Sequence, residues 1–432
     1  MGSKISSVYG REIFTWRNHP GIEAIVRTEN GAEGRAEVTA GLSVGKYEVE
    51  FVYDGGERWA GLGTQKAADN INEIIAPALK GMDVTKQREI DEVMLELDRA
   101  SSKAKLGGNA TASVSAAVLR AGADSLSVPL YQHIGGVNAC ILPVPCSGAF
   151  GGSGRYGSGP PGGSVGDKPS YSFPCYGFES FSEASYAGWE ISREFRKIIA
   201  ARFKAGSLVS GYRGIPPGIV KHDRELMQAM AEAIENMGYK GKAGIHIDVA
   251  AGTYYDDKKC VFTGLFSKED KTKEELVALY KDMVKSYPIV ILEDPLDEDD
   301  FEGHAMLVKE LGIEIVGDDL FTTNPKRLQR GIDLGAANAM LLKVNQVGTI
   351  SEAFDAVQMC YRAGYGVMPC MSRGEGLALA DYVVGLGTGH MREGAGFPLA
   401  NRLLEIENEL GSRAKFLGKD GLKVNWANKL GA

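Results

Sequence analysis

The sequence predicts an α/β protein in two parts, an α/β barrel preceded by a smaller α+β domain, and three observations predict it. A chain of 432 residues exceeds one ordinary compact unit but suits a barrel of roughly 250–300 residues plus a small domain. Its second half alternates short apolar runs with helical periods through five successive strand–helix units, the order that a parallel sheet requires. A doubly wound sheet would alternate in the same way. However, no GxGxxG follows a strand at the expected place, and the glycine-rich stretch around Gly152 lies in the wrong context.

The first sixty residues read as strands. Residues 22–28 are short and β-branched, residues 34–39 more weakly so, and Asn30-Gly31 between them is a hairpin signal. From Thr64 to Leu130 the period changes to helical, through Ala67, Ile71, Ile74 and Ile75 and again through Ala110, Val114, Ala117 and Val118. After a link over residues 135–145 the alternation begins. Strands are predicted at residues 243–249, 289–292, 314–317, 339–344 and 366–370, each followed by a helix, at 273–285, 302–311, 326–333, 350–362 and 377–384. The predicted division is residues 1–134 and 135–432.

Hydrophobic residues at 44% and charged residues at 24% supply a large core and exclude disorder as the main state. A net charge of −8 without a Lys/Arg-rich block argues against nucleic acid or an anionic membrane as the partner. No run of about 20 apolar residues is present, nor a basic-flanked apolar core at the start, so neither membrane spanning nor secretion is expected. Six cysteines, Cys140, Cys146, Cys175, Cys260, Cys360 and Cys370, are scattered without CxxC spacing, which fits reduced thiols in the cytoplasm. The partner expected is a small molecule.

The chemistry is concentrated at strand ends. Asp248 ends AGIHIDVA, Glu293 ends IVILEDP, Asp318 ends IEIVGDDL and Lys343 ends AMLLKVNQ, at intervals of 45, 25 and 25 residues. In a parallel barrel every such end opens on one face, so four polar residues distant in sequence converge. Three carboxylates together call for a hard cation, and an all-oxygen site suits Mg²⁺. The competing explanation is that these acids only cap the following helices. Positive charge nearby would lower the Lys343 ammonium and let the amine remove a proton α to a carboxylate, unless Lys343 merely pairs with Asp318 or Glu293.

Longer motifs carry a family resemblance. GREIFTWRNHPGIEA near the start, the stretch from Leu106 to Gly136, ILEDPLDEDDF, VGDDLFTTNPKR, LLKVNQVGTISEA and ADYVVGLGTGHMREG together resemble the enolases over nearly the whole chain. The resemblance implies an enolase-type (β/α)8 barrel with an N-terminal α+β capping domain. It implies Mg²⁺ on Asp248, Glu293 and Asp318, with Lys343 as the base that acts on carbon 2 of 2-phosphoglycerate. Ser43 in AGLSVGKYE resembles the loop serine that closes on a second Mg²⁺ and the substrate phosphate. A homodimer or higher homo-oligomer is implied in the same way.

The chain also departs from the family. The glutamate of a Gly-Asp-Glu-Gly-Gly loop is matched by Arg213 in Gly211-Tyr212-Arg213-Gly214-Ile215, and a second acid by Ser170 in PSYSFP. One family histidine is matched by Gly154 and another by Met371, with the neighbouring arginine one place late, at Arg373. The lysine that holds the substrate carboxylate is matched by Arg392, a planar fork in place of a point charge. Arg213, Arg373 and Arg392, with Arg155 of the glycine-rich loop, predict a pocket for more negative charge than 2-phosphoglycerate carries. The expected function is accordingly a divergent Mg²⁺-dependent lyase acting on another phosphorylated or phosphonylated carboxylate, as in carboxyphosphonoenolpyruvate formation. Two alternatives stand beside it: phosphopyruvate hydratase, and a catalytically silent relative that acts as a binding protein.

Overall fold

The computed structural model describes residues 3–15, 19–39, 44–151, 156, 168–203, 218–371, 373–396 and 398–429. The chain opens with an antiparallel sheet in the order β1 (Ile5–Phe14), β2 (Pro20–Thr28), β3 (Glu33–Val38). The expected turn joins β2 to β3, with Gly31 at φ 89°, a conformation that glycine adopts without steric cost. One face of this sheet is covered by the helix Gly108–Ser125, in which Ala110, Val114, Ala117 and Val118 are all fully buried. The approach is close. A Cβ on Gly34 would lie 2.0 Å from the Ala117 carbonyl oxygen, so the helix backbone rests directly on the strand.

Among the described residues, eight strands form the second sheet: β4 (Val144–Phe150), β5 (Ser170–Pro174), β6 (Ile245–Asp248), β7 (Ile289–Glu293), β8 (Glu314–Gly317), β9 (Ala339–Leu342), β10 (Gly366–Pro369) and β11 (His390–Gly394). They neighbour one another in that order, β11 pairs back onto β4, and a bridge between Val367 and Gly389 links β10 to β11, so the ring closes. The five predicted strand–helix units fall at β6 to β10, with helices Lys273–Ser286, Phe301–Leu311, Pro325–Leu334, Ile350–Arg362 and Ala378–Leu386. Side-chain caps from Thr272, Asp300, Asn324 and Thr349 start four of these helices. Asp248, Glu293 and Asp318 therefore do not serve as caps.

One strand departs from the all-parallel barrel that was expected. β5 runs antiparallel to both β4 and β6. An antiparallel neighbour needs no crossover helix, and among the described residues no helix stands between β4 and β5. The reversal turns the beginning of β5 toward the face where the other strands end, and Ser170 is in register with Asp248.

The barrel interior is layered. At the end where the parallel strands begin, the fully buried His390 Nε2 and Glu314 Oε1 lie 2.7 Å apart. Above them Ile291, Val316, Leu341 and Met368 form an apolar level. The strand ends carrying the acids lie above that. All six cysteines are free, and no helix of the described residues is long and apolar enough to cross a membrane.

Candidate active site

Asp248 and Glu293 are the last residues of β6 and β7 and lie in register, while Asp318 and Lys343 follow β8 and β9 directly. All four are buried. Lys343 Nζ donates to Asp318 Oδ2 at 2.5 Å, and Gln346 Nε2 donates to Asp318 Oδ1 at 2.8 Å. Thr323, held at φ 52° in the region β-branched residues avoid, accepts the Lys343 amide at 3.1 Å and donates to Gln346 Oε1 at 3.0 Å. Lys343 and its carboxylate partner are thus fixed from both sides.

The electrostatics around Lys343 differ from the expectation. Burial disfavours its ammonium, but the adjacent Asp318, joined by Cys370 and Glu293, outweighs it and raises Lys343 above the ordinary lysine value. The nearest charge in this arrangement is the carboxylate, so the lysine is held protonated. Glu293 shows the opposite balance. Burial pushes it up, yet Arg392, Lys168 and a hydrogen bond from His246 hold it well below the usual carboxylate range. His246 Nε2 lies 3.2 Å from Glu293 Oε2, Ser172 Oγ lies 2.9 Å from its Nδ1, and burial lowers this imidazole.

Arg392 enters from β11. Its guanidinium contacts Asp248, lies 3.2 Å from Glu293 Oε2 and donates to Ser170 Oγ at 2.8 Å. Ser170 thus holds Arg392 beside Asp248. Lys168, two residues earlier, contacts Asp248 and lies 4.0 Å from Glu293. Burial, followed by Arg392 and Lys343, lowers Lys168 to about 8. Arg373 is fully buried, with its Nη1 donating to Glu48 Oε2 at 2.5 Å and its Nη2 contacting Glu48 Oε1. The Met371 amide donates to Glu393 Oε2 at 3.1 Å. Ser43, Gly154, Arg155 and Arg213, with the rest of Gly211 to Ile215, lie outside the described residues.

Two oxygens bear on Mg²⁺. Among the described residues Asp248 Oδ1 and Glu293 Oε1 are buried and accept no hydrogen bond, leaving hard lone pairs at the centre of the acid row. The acids whose oxygens all fall within 4.8 Å of one another are instead Asp294, Asp318 and Asp319. Asp294 is engaged by the backbone amides of Asp318 at 3.0 Å and Asp319 at 2.8 Å, which makes it a turn-former. The donor set that fits a divalent ion is therefore Asp248 and Glu293 with Asp318 beside them.

Sequence reasoning missed several residues here. His246 precedes Asp248 by two on the same strand, so alternation alone could have placed it on the same face. Gln346 lies inside a quoted motif. Lys168 gave no signal, because a parallel barrel offers no reason to look before a strand. Glu48 gave none either, because its partner Arg373 is distant in sequence.

Glu375 adds a titration. Among the described residues its Oε1 is buried without a partner, and burial raises the carboxyl to about 7 from the ordinary 4.5. The folded state then holds a proton that the unfolded chain has released, so this group's contribution is complete below 4.5 and falls away as pH rises toward 7. Glu375→Gln is expected to gain on the order of 3 kcal/mol relative to the parent at pH 8 and to match it at pH 4. Denaturation midpoints at the two pH values check this.

Comparison with known proteins agrees with this geometry. Residues 5–134 match the family described as "Enolase, N-terminal domain", and residues 142–425 match "Enolase, C-terminal TIM barrel domain". The enolase of Pyrococcus furiosus is 42% identical over 438 residues, covering 98% of each chain. That of Methanopyrus kandleri is 42% identical, covering 96% of this chain and 97% of its own. That of Methanocaldococcus jannaschii is 39% identical, covering 96% and 98%. With a closed barrel, acids at successive strand ends and a lysine bound to one of them, the chain belongs to the enolase family of lyases.

Proposed function

We propose that this lyase is a phosphopyruvate hydratase, interconverting 2-phosphoglycerate and phosphoenolpyruvate with Mg²⁺. The observation that carries the reading is the likeness to proteins named enolase, which runs the whole length of the chain at 39–42% identity. The site's retained chemistry supports it. Lys343 is placed to take the proton α to the substrate carboxylate, and Asp318 fixes the direction of its Nζ. Neutralising Asp318 removes the partner that keeps Lys343 protonated, and so turns the ammonium toward base. When bound, Mg²⁺ supplies the positive charge that stabilises an enediolate. Arg392 offers a planar fork to the carboxylate.

The reading of a more highly charged phosphonylated substrate drew on surplus arginines. One of these, Arg373, is engaged by Glu48, which favours the simpler substrate. The Ser170 hydroxyl donates hydrogen bonds but is too weak an acid to transfer a proton at neutral pH. The departing hydroxyl must therefore take its proton from another donor in the mouth.

The test is phosphoenolpyruvate formation from 2-phosphoglycerate with Mg²⁺, followed by ultraviolet absorbance, beside a panel of phosphono- and phosphocarboxylates. Turnover of 2-phosphoglycerate above the rest is expected. Turnover of a phosphonocarboxylate with none of 2-phosphoglycerate overturns the reading.

A further inference from the structure

Lys168 stands before β5, and its side chain reaches the centre of the acid row. Its Nζ contacts Asp248 Oδ2 and lies 4.0 Å from Glu293 Oε1. These two carboxylates also carry the buried oxygens without hydrogen bonds that fit a divalent ion. The ammonium thus lies between the same two acids that an ion would bridge. Arg392 reinforces it, with its guanidinium on Asp248 and its Nε 3.2 Å from Glu293 Oε2. Two acids are matched by two fixed cations. Both acids are fully buried, where charge is weakly screened and an uncompensated carboxylate is costly.

We propose that Lys168 is a built-in counter-ion that competes with Mg²⁺ for Asp248 and Glu293, and so sets how tightly this chain holds its metal. The inference rests on the proposed reaction only in placing the metal at these acids. Its logic is charge counting. A divalent ion arriving beside Lys168 meets carboxylates already neutralised and an ammonium a few ångströms away, so it must displace the lysine or bind against its repulsion. An anionic ligand that drew Lys168 and Arg392 to itself would release both acids. Metal and anion would then strengthen one another's binding reciprocally. Lys168 acts here as a positioning residue, through the acids it occupies.

Calorimetric titration of the full chain with Mg²⁺ alone tests this without any substrate. Lys168→Met removes the competing charge and keeps the aliphatic stem, and is expected to tighten Mg²⁺ binding at least tenfold. Lys168→Arg keeps the charge and is expected to bind within about threefold of the parent. Unchanged or weaker Mg²⁺ binding by a folded Lys168→Met overturns the proposal, as does equal tightening in both variants. Thermal unfolding of each variant with and without Mg²⁺ gives a second readout: the metal-induced rise in midpoint should be larger for Lys168→Met than for the parent, and an equal or smaller rise overturns it. Failure to turn over 2-phosphoglycerate would sink the proposed reaction but leave these titrations untouched, so the two failures are distinguishable.

Discussion

Lys343→Ala is expected to reduce kcat for 2-phosphoglycerate by about 10²–10⁴-fold, the range for losing a positioned base, with a much smaller change in KM. In the proposed reaction the amine touches the substrate only through the proton it takes, so little ground-state binding is expected to disappear with it. Arginine in its place should not rescue turnover, since a guanidinium stays protonated at any working pH. The substitution also leaves Asp318 buried with Gln346 as its remaining partner, and so carries a stability cost. Asp318→Asn changes the same pair from its other side, and it also takes a carboxylate from the donor set that fits the metal. It removes the anion that raises Lys343 and leaves the amine in place. Steady-state kinetics beside thermal unfolding resolves these outcomes, and a Lys343→Ala enzyme with near-parental kcat would remove Lys343 from the role of base.

The largest stability effect is expected at Glu48. Its carboxylate receives the Arg373 guanidinium in a two-pronged pair, each side chain 2% exposed, and Glu48→Ala leaves that guanidinium without its carboxylate in the interior. A loss of about 3–5 kcal/mol follows. Replacing both partners, as in Glu48→Leu with Arg373→Met, should recover most of it, because two packed apolar side chains carry no stranded charge. The consequence extends beyond the pair. Val49 donates to the Gln346 carbonyl at 3.0 Å, Tyr47 donates to Asp299 at 2.8 Å, and the Arg327 guanidinium lies 3.6 Å from the Tyr47 ring centre. The segment around Glu48 is therefore fastened over the barrel mouth close to the residues that hold Asp318. Glu48→Ala should raise KM as well as lower the denaturation midpoint. A midpoint shift without a change in KM would confine Glu48 to stability.

The sequence made legible whatever repeats. From residue 243 to 384 five strands are short apolar runs followed by a helical period, and the structure follows them within about two residues because the parallel βα unit fixes both spacings. The residues at those strand ends were legible for the same reason. Partnerships were not. Nothing in the pattern tells whether Lys343 meets Asp318 or an incoming cation, since that depends on side-chain reach at a scale below strand spacing. Arg373 was legible as a charge in the barrel, but its carboxylate comes from Glu48, 325 residues away. Lys168 was hidden by topology. The expectation of eight parallel strands directs attention to strand ends, and the one strand that runs backward presents its start.

That reversed strand also alters the field at the mouth. Where a helix follows a strand that finishes there, its first turn directs unsatisfied amides, and hence partial positive charge, back toward the opening. β5 finishes at the opposite end, so its sector of the rim receives no such amides from a following helix. In this chain that sector holds a whole charge in place of a fractional one, the ammonium of Lys168. Backbone dipoles are fixed by the fold, whereas an ammonium can be removed by one codon. The reversed strand is thus where this barrel's attraction for anions can be retuned most easily without disturbing its architecture.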